Sequence, residues 1–277
     1  MKIDSARLIF FSPTGSTEKV INSIAKGLDV AEVKITNFTT PQIRKSFSNN
    51  HDIVNKKDFG KESGTESSEA FNKSIMEKFR IIVEEDIAII GVPVYGQKIP
   101  YFLNECLQNI DGNGKPAILV CVYGNINSGI ALKQLYKLAQ KFNFTVAGAA
   151  EFIGRHSFCN EQIHVAENRP DTKDLIIAEN FGKAVKRKLL KKANLLKVSS
   201  LLKKKLSISA FIIAKFLPKS SERLVTKQPV ADVDLCKKCG YCIKACPMGA
   251  INAHTLTIRE DLCIRCFACV RKCPNQA

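Results

Sequence analysis

Eight of the chain's eleven cysteines fall into two runs of identical spacing. The first is Cys236-x-x-Cys239-x-x-Cys242-x-x-x-Cys246-Pro247. The second, Cys263-x-x-Cys266-x-x-Cys269-x-x-x-Cys273-Pro274, repeats it 27 residues later. Three cysteines at every third position wrap a short loop around one cubane iron–sulfur cluster, while a fourth, placed just before a proline, reaches a second cluster. Paired structural zinc sites are the competing chemistry, because closely spaced cysteine pairs also bind zinc tetrahedrally. The duplicated eight-cysteine run, with a proline after each fourth ligand, favours clusters. Disulfides are disfavoured, because no export signal directs the chain to an oxidising compartment.

At these residues the chain resembles the bacterial-type two-cluster ferredoxins. The resemblance implies that Cys236, Cys239, Cys242 and Cys273 hold one [4Fe-4S] cluster, and that Cys263, Cys266, Cys269 and Cys246 hold the other. Gly240 and Ala268 are read as small residues at the same position of the two repeats, keeping backbone amides open to cluster sulfur.

A second candidate site lies near the N-terminus. Ser12-Pro13-Thr14-Gly15-Ser16-Thr17 follows a β-rich run and leads into a helical pattern. Hydroxyls and amides at a helix N-terminus, with a glycine permitting close approach, suit a phosphate. Neither the NTPase phosphate-loop pattern nor the dinucleotide glycine fingerprint is present, so direct NAD(P)H use is unsupported. The Ser12–Thr17 segment resembles the phosphate loop of the flavodoxins, which implies FMN. Pro93-Val94-Tyr95-Gly96 and Tyr123-Gly124-Asn125 follow later β-rich runs. Each offers a ring able to stack on a flavin and a glycine beside it. The candidate flavin residues are therefore Ser12, Thr14, Gly15, Ser16, Thr17, Pro93, Val94, Tyr95, Gly96, Tyr123, Gly124 and Asn125.

The elements that must position these residues alternate between short strands and amphipathic helices from Ala6 to Val185, the pattern of a parallel α/β sheet. Strands are expected at 6–11, 31–36, 86–92, 117–122 and 144–152. Helical spacing links Val20, Ile21, Ile24 and Leu28; Phe71, Ile75, Phe79 and Ile82; Leu103, Cys106, Leu107 and Ile110; and Leu132, Leu135, Ala139 and Phe142. A fifth helix is expected from about residue 172 to 188. Pro100 suits a helix start, and Ser128 and Asp171 suit N-caps. Together with the flavodoxin resemblance this implies a flavodoxin-like three-layer sandwich. Its five-stranded parallel sheet has the order 2-1-3-4-5, with ligand at the switch point where strands one, three and four end. A small α+β two-cluster ferredoxin domain follows.

Gly154-Arg155-His156-Ser157 follows the fifth strand. A similar sequence occurs in fused flavodoxin–ferredoxin proteins of anaerobic microbes, but no role for it follows, and His156 reads as a structural residue. Cys106, Cys121 and Cys159 read as core or incidental. Residues 40–68 form a polar excursion longer than the usual connection, or a lid near the flavin.

Charge is concentrated in one segment. Residues 1–182 carry 21 basic and 21 acidic side chains, 183–227 carry 14 against 1, and 228–277 carry 7 against 4, which sum to the net +16. The expected divisions are a flavodoxin-like domain at 1–185, a basic helical connector at 186–228 and a ferredoxin domain at 229–277. The connector reads as helices with lysines facing water. Alternatively it docks an acidic redox partner protein or an anionic membrane surface. Nucleic acid is the weakest reading, because no recognition module accompanies the charge. An apolar fraction of 45% excludes global disorder. No run approaches the roughly 18 apolar residues of a membrane span, and the expected compartment is the cytoplasm.

The whole chain resembles the flavodoxin–ferredoxin fusion family. The resemblance implies an electron carrier in which two [4Fe-4S] clusters and FMN exchange single electrons with an external low-potential partner. An FMN-dependent reductase of a small electron acceptor (a quinone, a nitro compound or a metal ion) and a redox-sensing binding protein remain open as alternatives. No acid–base or nucleophilic catalytic residue is required by the carrier reading.

Overall fold

The computed structural model describes residues 2–39, 41, 44, 80–159, 164–191, 223 and 226–277. Five parallel strands form one sheet: β1 (Ser5–Phe10), β2 (Glu32–Asn37), β3 (Ile87–Pro93), β4 (Pro116–Tyr123) and β5 (Thr145–Ile153). Their spatial order is β2-β1-β3-β4-β5, as the flavodoxin resemblance implied. Every strand lies within one residue of its expected bounds. The reason is physical: a parallel sheet covered on both faces reads as uninterrupted apolar runs. In β3 all seven residues are buried.

Alternation along β1 divides the core in two. Leu8 and Phe10 face a cluster containing Val20, Ile21, Ile24, Ala178 and Val185, contributed by α1 (Ser16–Leu28) and α4 (Thr172–Leu190). Ile9 and Phe11 face the opposite cluster, which contains Leu103 and Leu107 of α2 (Leu103–Leu107) and Leu132 and Leu135 of α3 (Ala131–Lys141). Edge strand β2 is mostly exposed, and its outward Glu32 and Lys34 make it a poor template for further strand pairing. The flavodoxin-like α/β architecture thus follows from strand order and from helices on both faces.

Several local expectations change. Ile82 and Ile110 are not helical: Ile81–Ile82 pairs in parallel with Ile110–Asp111 as a separate two-stranded ribbon. An isoleucine three or four residues beyond an apolar helix face fits the helical period equally well in either case. Residues 71–79 lie outside the described residues. Ser128 does not cap α3: Ile130 is the N-cap, and Ser128 only accepts from the Ala131 amide at 3.2 Å. Asp171 does cap α4, in a reciprocal capping box with Asp174. That helix runs across the expected boundary at 185 to Leu190. The 40–68 excursion is described only at Pro41 and Arg44, and most of the connector likewise lies outside the described residues. Among the described residues no helix is long and apolar enough to cross a membrane.

The C-terminal fifty residues contribute two short helices, α5 (Tyr241–Ala245) and α6 (Ala268–Arg271), and an antiparallel bridge between Ile251 and Ile258. This unit packs on the sheet domain: Ile264, Cys266 and Ala268 belong to the same buried cluster as Ile9 and Phe11.

Candidate functional site

The first site forms where β1, β3, β4 and β5 end. Ser12 is buried and braces the loop after β1. Its Oγ accepts from the Glu18 amide at 3.0 Å, and its own amide donates to Thr39 Oγ1 at 2.7 Å. Gly15 has φ +83°, a left-handed conformation that favours glycine, and it places Ser16 at the first turn of α1. Thr14, Ser16 and Thr17 consequently line the cleft at the positive end of the α1 dipole.

After β3, Tyr95 and Lys98 exchange two backbone hydrogen bonds of 2.9 and 3.0 Å around Gly96 and Gln97. Both central residues have positive φ (52° and 66°), as a type I′ turn requires. The Gln97 carbonyl accepts from the Ile130 amide at 2.9 Å, which holds the turn against the start of α3. After β5, the Gly154 amide donates to the Tyr123 carbonyl at 2.8 Å, and the His156 ring closes over Gly124. A Cβ on Gly124 would meet His156 Cδ2 at 2.3 Å, so only glycine permits this approach.

The resulting cleft of about 540 Å³ is lined by Thr14, Ser16, Thr17, Pro93, Val94, Tyr95, Gly96, Tyr123 and Gly124. These are nine of the twelve residues singled out from sequence. Ser12 and Gly15 shape the loop from behind, and Asn125 gives its place to Ile126 and Asn127. The cleft lies within the size range of small-ligand sites. It combines a helix N-terminus and hydroxyls at one end with tyrosine rings at the other, and so suits a planar aromatic ligand that carries a phosphate.

Sequence reasoning assigned no role to Gln97, Arg155–Phe158 or Arg265, all of which line the same cleft. Gln97 Oε1 is buried without a hydrogen-bond partner, as are Arg155 Nε and Arg265 Nη1. Such groups are costly to leave unmet, and they fit a polar ligand in the cleft. His156 Nδ1 accepts from the Phe158 amide at 3.1 Å. Burial, and then repulsion from Arg271, holds its pKa below the ordinary histidine value, which favours the neutral ring.

Arg265 belongs to the second site. The eight cysteines line two cavities. Cys236, Cys239, Cys242 and Cys273 line one, together with Cys269; Cys246, Cys263, Cys266 and Cys269 line the other. The electrostatic neighbours divide the same way: Cys242 feels Cys236 and Cys273, while Cys266 and Cys269 feel Cys246 and Cys263. The fourth cysteine of each run therefore sits with the other run's triplet. Among the described residues no three thiol, imidazole or carboxylate groups close on one point as around a single ion.

The two repeats share a backbone trace. Positive φ recurs at Lys238 and Arg265, at Gly240 and Phe267, and at Gly249 and Gln276, each pair 27 residues apart. Gly240 is thus matched by Phe267, not by Ala268. The Ala250 amide donates to Cys246 Sγ and the Ala277 amide to Cys273 Sγ, both at 3.3 Å. Burial pushes the Cys266 thiol up to about 12 and the Cys269 thiol to about 11. Thiolates there need a bound cationic centre, which iron in a cluster supplies. Burial likewise pushes Cys106 up to about 12 and Cys121 well above the usual thiol value, in keeping with inert core positions.

The two sites adjoin. Phe267 meets Phe158 edge to face at 5.5 Å, and Arg271 Nη2 donates to the His156 carbonyl. On the other side Arg44 donates to the carbonyls of Phe38 and Pro247, with its guanidinium 5.3 Å from the Phe102 ring centre.

Residues 228–274 match the family model described as a 4Fe-4S dicluster domain. The C-terminal unit is therefore an iron–sulfur domain of the 4Fe-4S type. Among curated proteins nothing matches the chain. Similar solved structures include a flavodoxin from the domain Archaea (14% identity, 67% of this chain and 99% of that one, TM-score 0.38). A flavodoxin of Streptococcus pneumoniae TIGR4 is similar at 17% identity (66% and 99%, TM-score 0.39). So is a short-chain flavodoxin associated with a PDU bacterial microcompartment (15%, 69% and 100%, TM-score 0.38). The strand order, rather than these likenesses, carries the fold: a flavodoxin-like domain joined to a ferredoxin-type domain.

Proposed function

We propose that the protein is an electron-transfer iron–sulfur flavoprotein with FMN in the cleft and two [4Fe-4S] clusters in the cysteine-lined cavities. Thr14, Ser16 and Thr17 would hold the phosphate; Pro93, Val94, Tyr95, Gly96, Tyr123 and Gly124 would hold the ring. Cys236, Cys239, Cys242 and Cys273 would bind one cluster, and Cys263, Cys266, Cys269 and Cys246 the other. A 4Fe-4S cluster handles one electron at a time and a flavin one or two, so the pair can convert between single electrons and electron pairs.

The observation that carries this reading is the burial of the 263–269 loop against the flavodoxin-like domain, with Arg265 lining the cleft itself. The Cys236–Cys242 loop is open by contrast. Cys239 is exposed, and Val230, Val233 and Tyr241 expose 84%, 84% and 58% of their surfaces nearby. Exposed Lys237, Lys238 and Lys244 lie on the same stretch and outnumber the exposed Asp232 and Asp234, so an acidic one-electron carrier protein is the partner this face suits. The outer cysteine set would then serve exchange with the partner, and the inner set exchange with the flavin.

The test is a cofactor count on protein purified without oxygen, followed by stepwise reduction with a one-electron protein donor. About eight iron and one FMN per chain are expected. Flavin reduction by that donor should be lost in Cys266→Ser, and its rate in the parent protein should fall with added salt. Flavin reduction that is indifferent to cluster loss would overturn the carrier reading and favour a reductase working at the flavin alone.

A further inference from the structure

Arg265 stands between the cluster ligands Cys263 and Cys266, yet it lines the cleft of the other domain. It is 2% exposed, and its backbone is held at φ +52°, a conformation seldom adopted by an arginine. Two of its three nitrogens are engaged: Nε donates to the Thr226 carbonyl at 3.3 Å, and Nη2 to Glu260 Oε1 at 3.0 Å. Nη1 is buried without a partner. Glu260 is itself 72% exposed, so water screens its compensation of the buried charge.

The cleft lining adds further positive charge. Arg155 also lines the cleft with a buried, unpartnered Nε, and Arg271 lies close enough to Arg155 for each to repel the other. No carboxylate is among the described residues that line the cleft. An arginine buried at a structural cost, with one donor unspent in a cleft whose described lining holds no carboxylate, suits an electron-rich acceptor bound there. The α1 N-terminus already provides an anion site at the Thr14–Thr17 end. The loop bearing Arg265 is anchored elsewhere, through Phe267 on Phe158 and Arg271 on the carbonyl of His156, whose ring covers Gly124. That anchoring belongs to the tyrosine end of the cleft.

We infer that Arg265 donates from Nη1 to the ring of the bound flavin and holds the reduced, negatively charged ring more tightly than the oxidised one. The inference rests on the flavin reading above. Arg265 is then a flavin-contacting residue supplied by the cluster loop, and the flavin site is incomplete without the ferredoxin domain. By linkage, reduced flavin must strengthen the seating of the 263–268 loop by the same factor.

The test uses the full-length protein loaded with clusters, with oxidised and reduced FMN and riboflavin as probes in anaerobic equilibrium dialysis. Arg265→Gln should weaken binding of the reduced forms about tenfold more than the oxidised forms, equally for FMN and riboflavin. Arg265→Lys, which keeps the charge, should recover part of that preference. A penalty independent of redox state overturns the inference. So does a penalty on FMN alone, which would assign Arg265 to the phosphate. A second measurement needs no substitution: amide hydrogen exchange of residues 263–268 in the parent protein should slow more with reduced than with oxidised flavin. Equal protection by the two forms, or none, overturns the inference even where Arg265→Gln fails to assemble. A parent protein that binds neither form overturns the flavin reading as well, whereas binding that is indifferent to Arg265→Gln overturns this inference alone.

Discussion

The two cluster loops have the same cysteine spacing and the same left-handed positions, but opposite surroundings. The outer loop reads Cys236-Lys237-Lys238-Cys239-Gly240-Tyr241-Cys242, and the inner loop reads Cys263-Ile264-Arg265-Cys266-Phe267-Ala268-Cys269. Ile264, Arg265 and Ala268 are 3%, 2% and 1% exposed, and Phe267 meets Phe158 edge to face. At the matching places in the outer loop stand two lysines, a glycine and an exposed tyrosine. Ligand chemistry is duplicated, whereas the residues between the ligands decide what each loop touches. One copy has become an interface with the flavodoxin-like domain, and the other has stayed a surface.

That contrast can be broken most strongly at its apolar anchor. Ile264→Ala should cost about 2–5 kcal/mol, as for other large-to-small substitutions in a packed core. Lys237→Ala, at the matching position, should stay within about 0.5 kcal/mol. Anaerobic denaturant unfolding of the two variants measures the difference, and equal costs would mean that the inner loop is not seated as described. A smaller effect is expected at the matched left-handed pair. Gly240→Ala puts a Cβ on a residue held at φ +76°, which costs about 1–2 kcal/mol. Phe267 already bears that penalty, offset by its contact with Phe158. Phe267→Gly should therefore relieve the backbone strain while losing the ring contact, and its net change should be smaller than that of Phe267→Ala, which loses the contact and keeps the strain. Melting of the three variants in parallel orders them.

Much of this organisation was legible in the chain. The strands could be read because residues such as Ile87–Pro93 are buried on both faces, and an apolar run bounded by turn residues has few other uses. The crossed cysteine sets were implied by the resemblance to two-cluster ferredoxins, and the cavities divide the cysteines in the same way. What escaped were residues whose partners come from distant parts of the chain. Gln97 and Arg265 carry no local pattern: Gln97 reaches the cleft through a turn held against the start of α3, and Arg265 only because the second domain packs on the first. The Arg155–Phe158 segment was visible as a motif, but its position in the cleft depends on His156 packing over Gly124. Ile82 and Ile110 were misread because a ribbon of two residues per strand is too short to display its own period.

The smallest effect concerns the seam between the domains, where His156 meets both. Its carbonyl accepts from Arg271 of the inner repeat, and its ring is held neutral by burial and then by that same guanidinium. A base whose folded pKa lies below its unfolded value binds fewer protons when folded. Its contribution is therefore complete above the unfolded pKa of 6.5 and is lost as the pH falls through 6.5 toward the folded value. At the base of the sheet, buried Glu85 and half-buried Asp86 have pKa values held down: at Glu85 burial pushes up but Arg7 and Lys34 outweigh it, and Asp86 is held down chiefly by the amides of Asp4 and Ser5. They therefore titrate below this window. Lowering the pH from about 7.5 to about 5.5 should depress the melting midpoint by a few degrees at most. His156→Asn, which can still accept from the Phe158 amide but cannot be protonated, should abolish that depression while leaving the acid limb below pH 4.5 unchanged. The outer loop has no comparable group at the seam, so substitutions at Lys237 or Lys238 should leave the depression intact. A depression that survives His156→Asn would move the pH-sensitive contact away from the domain seam.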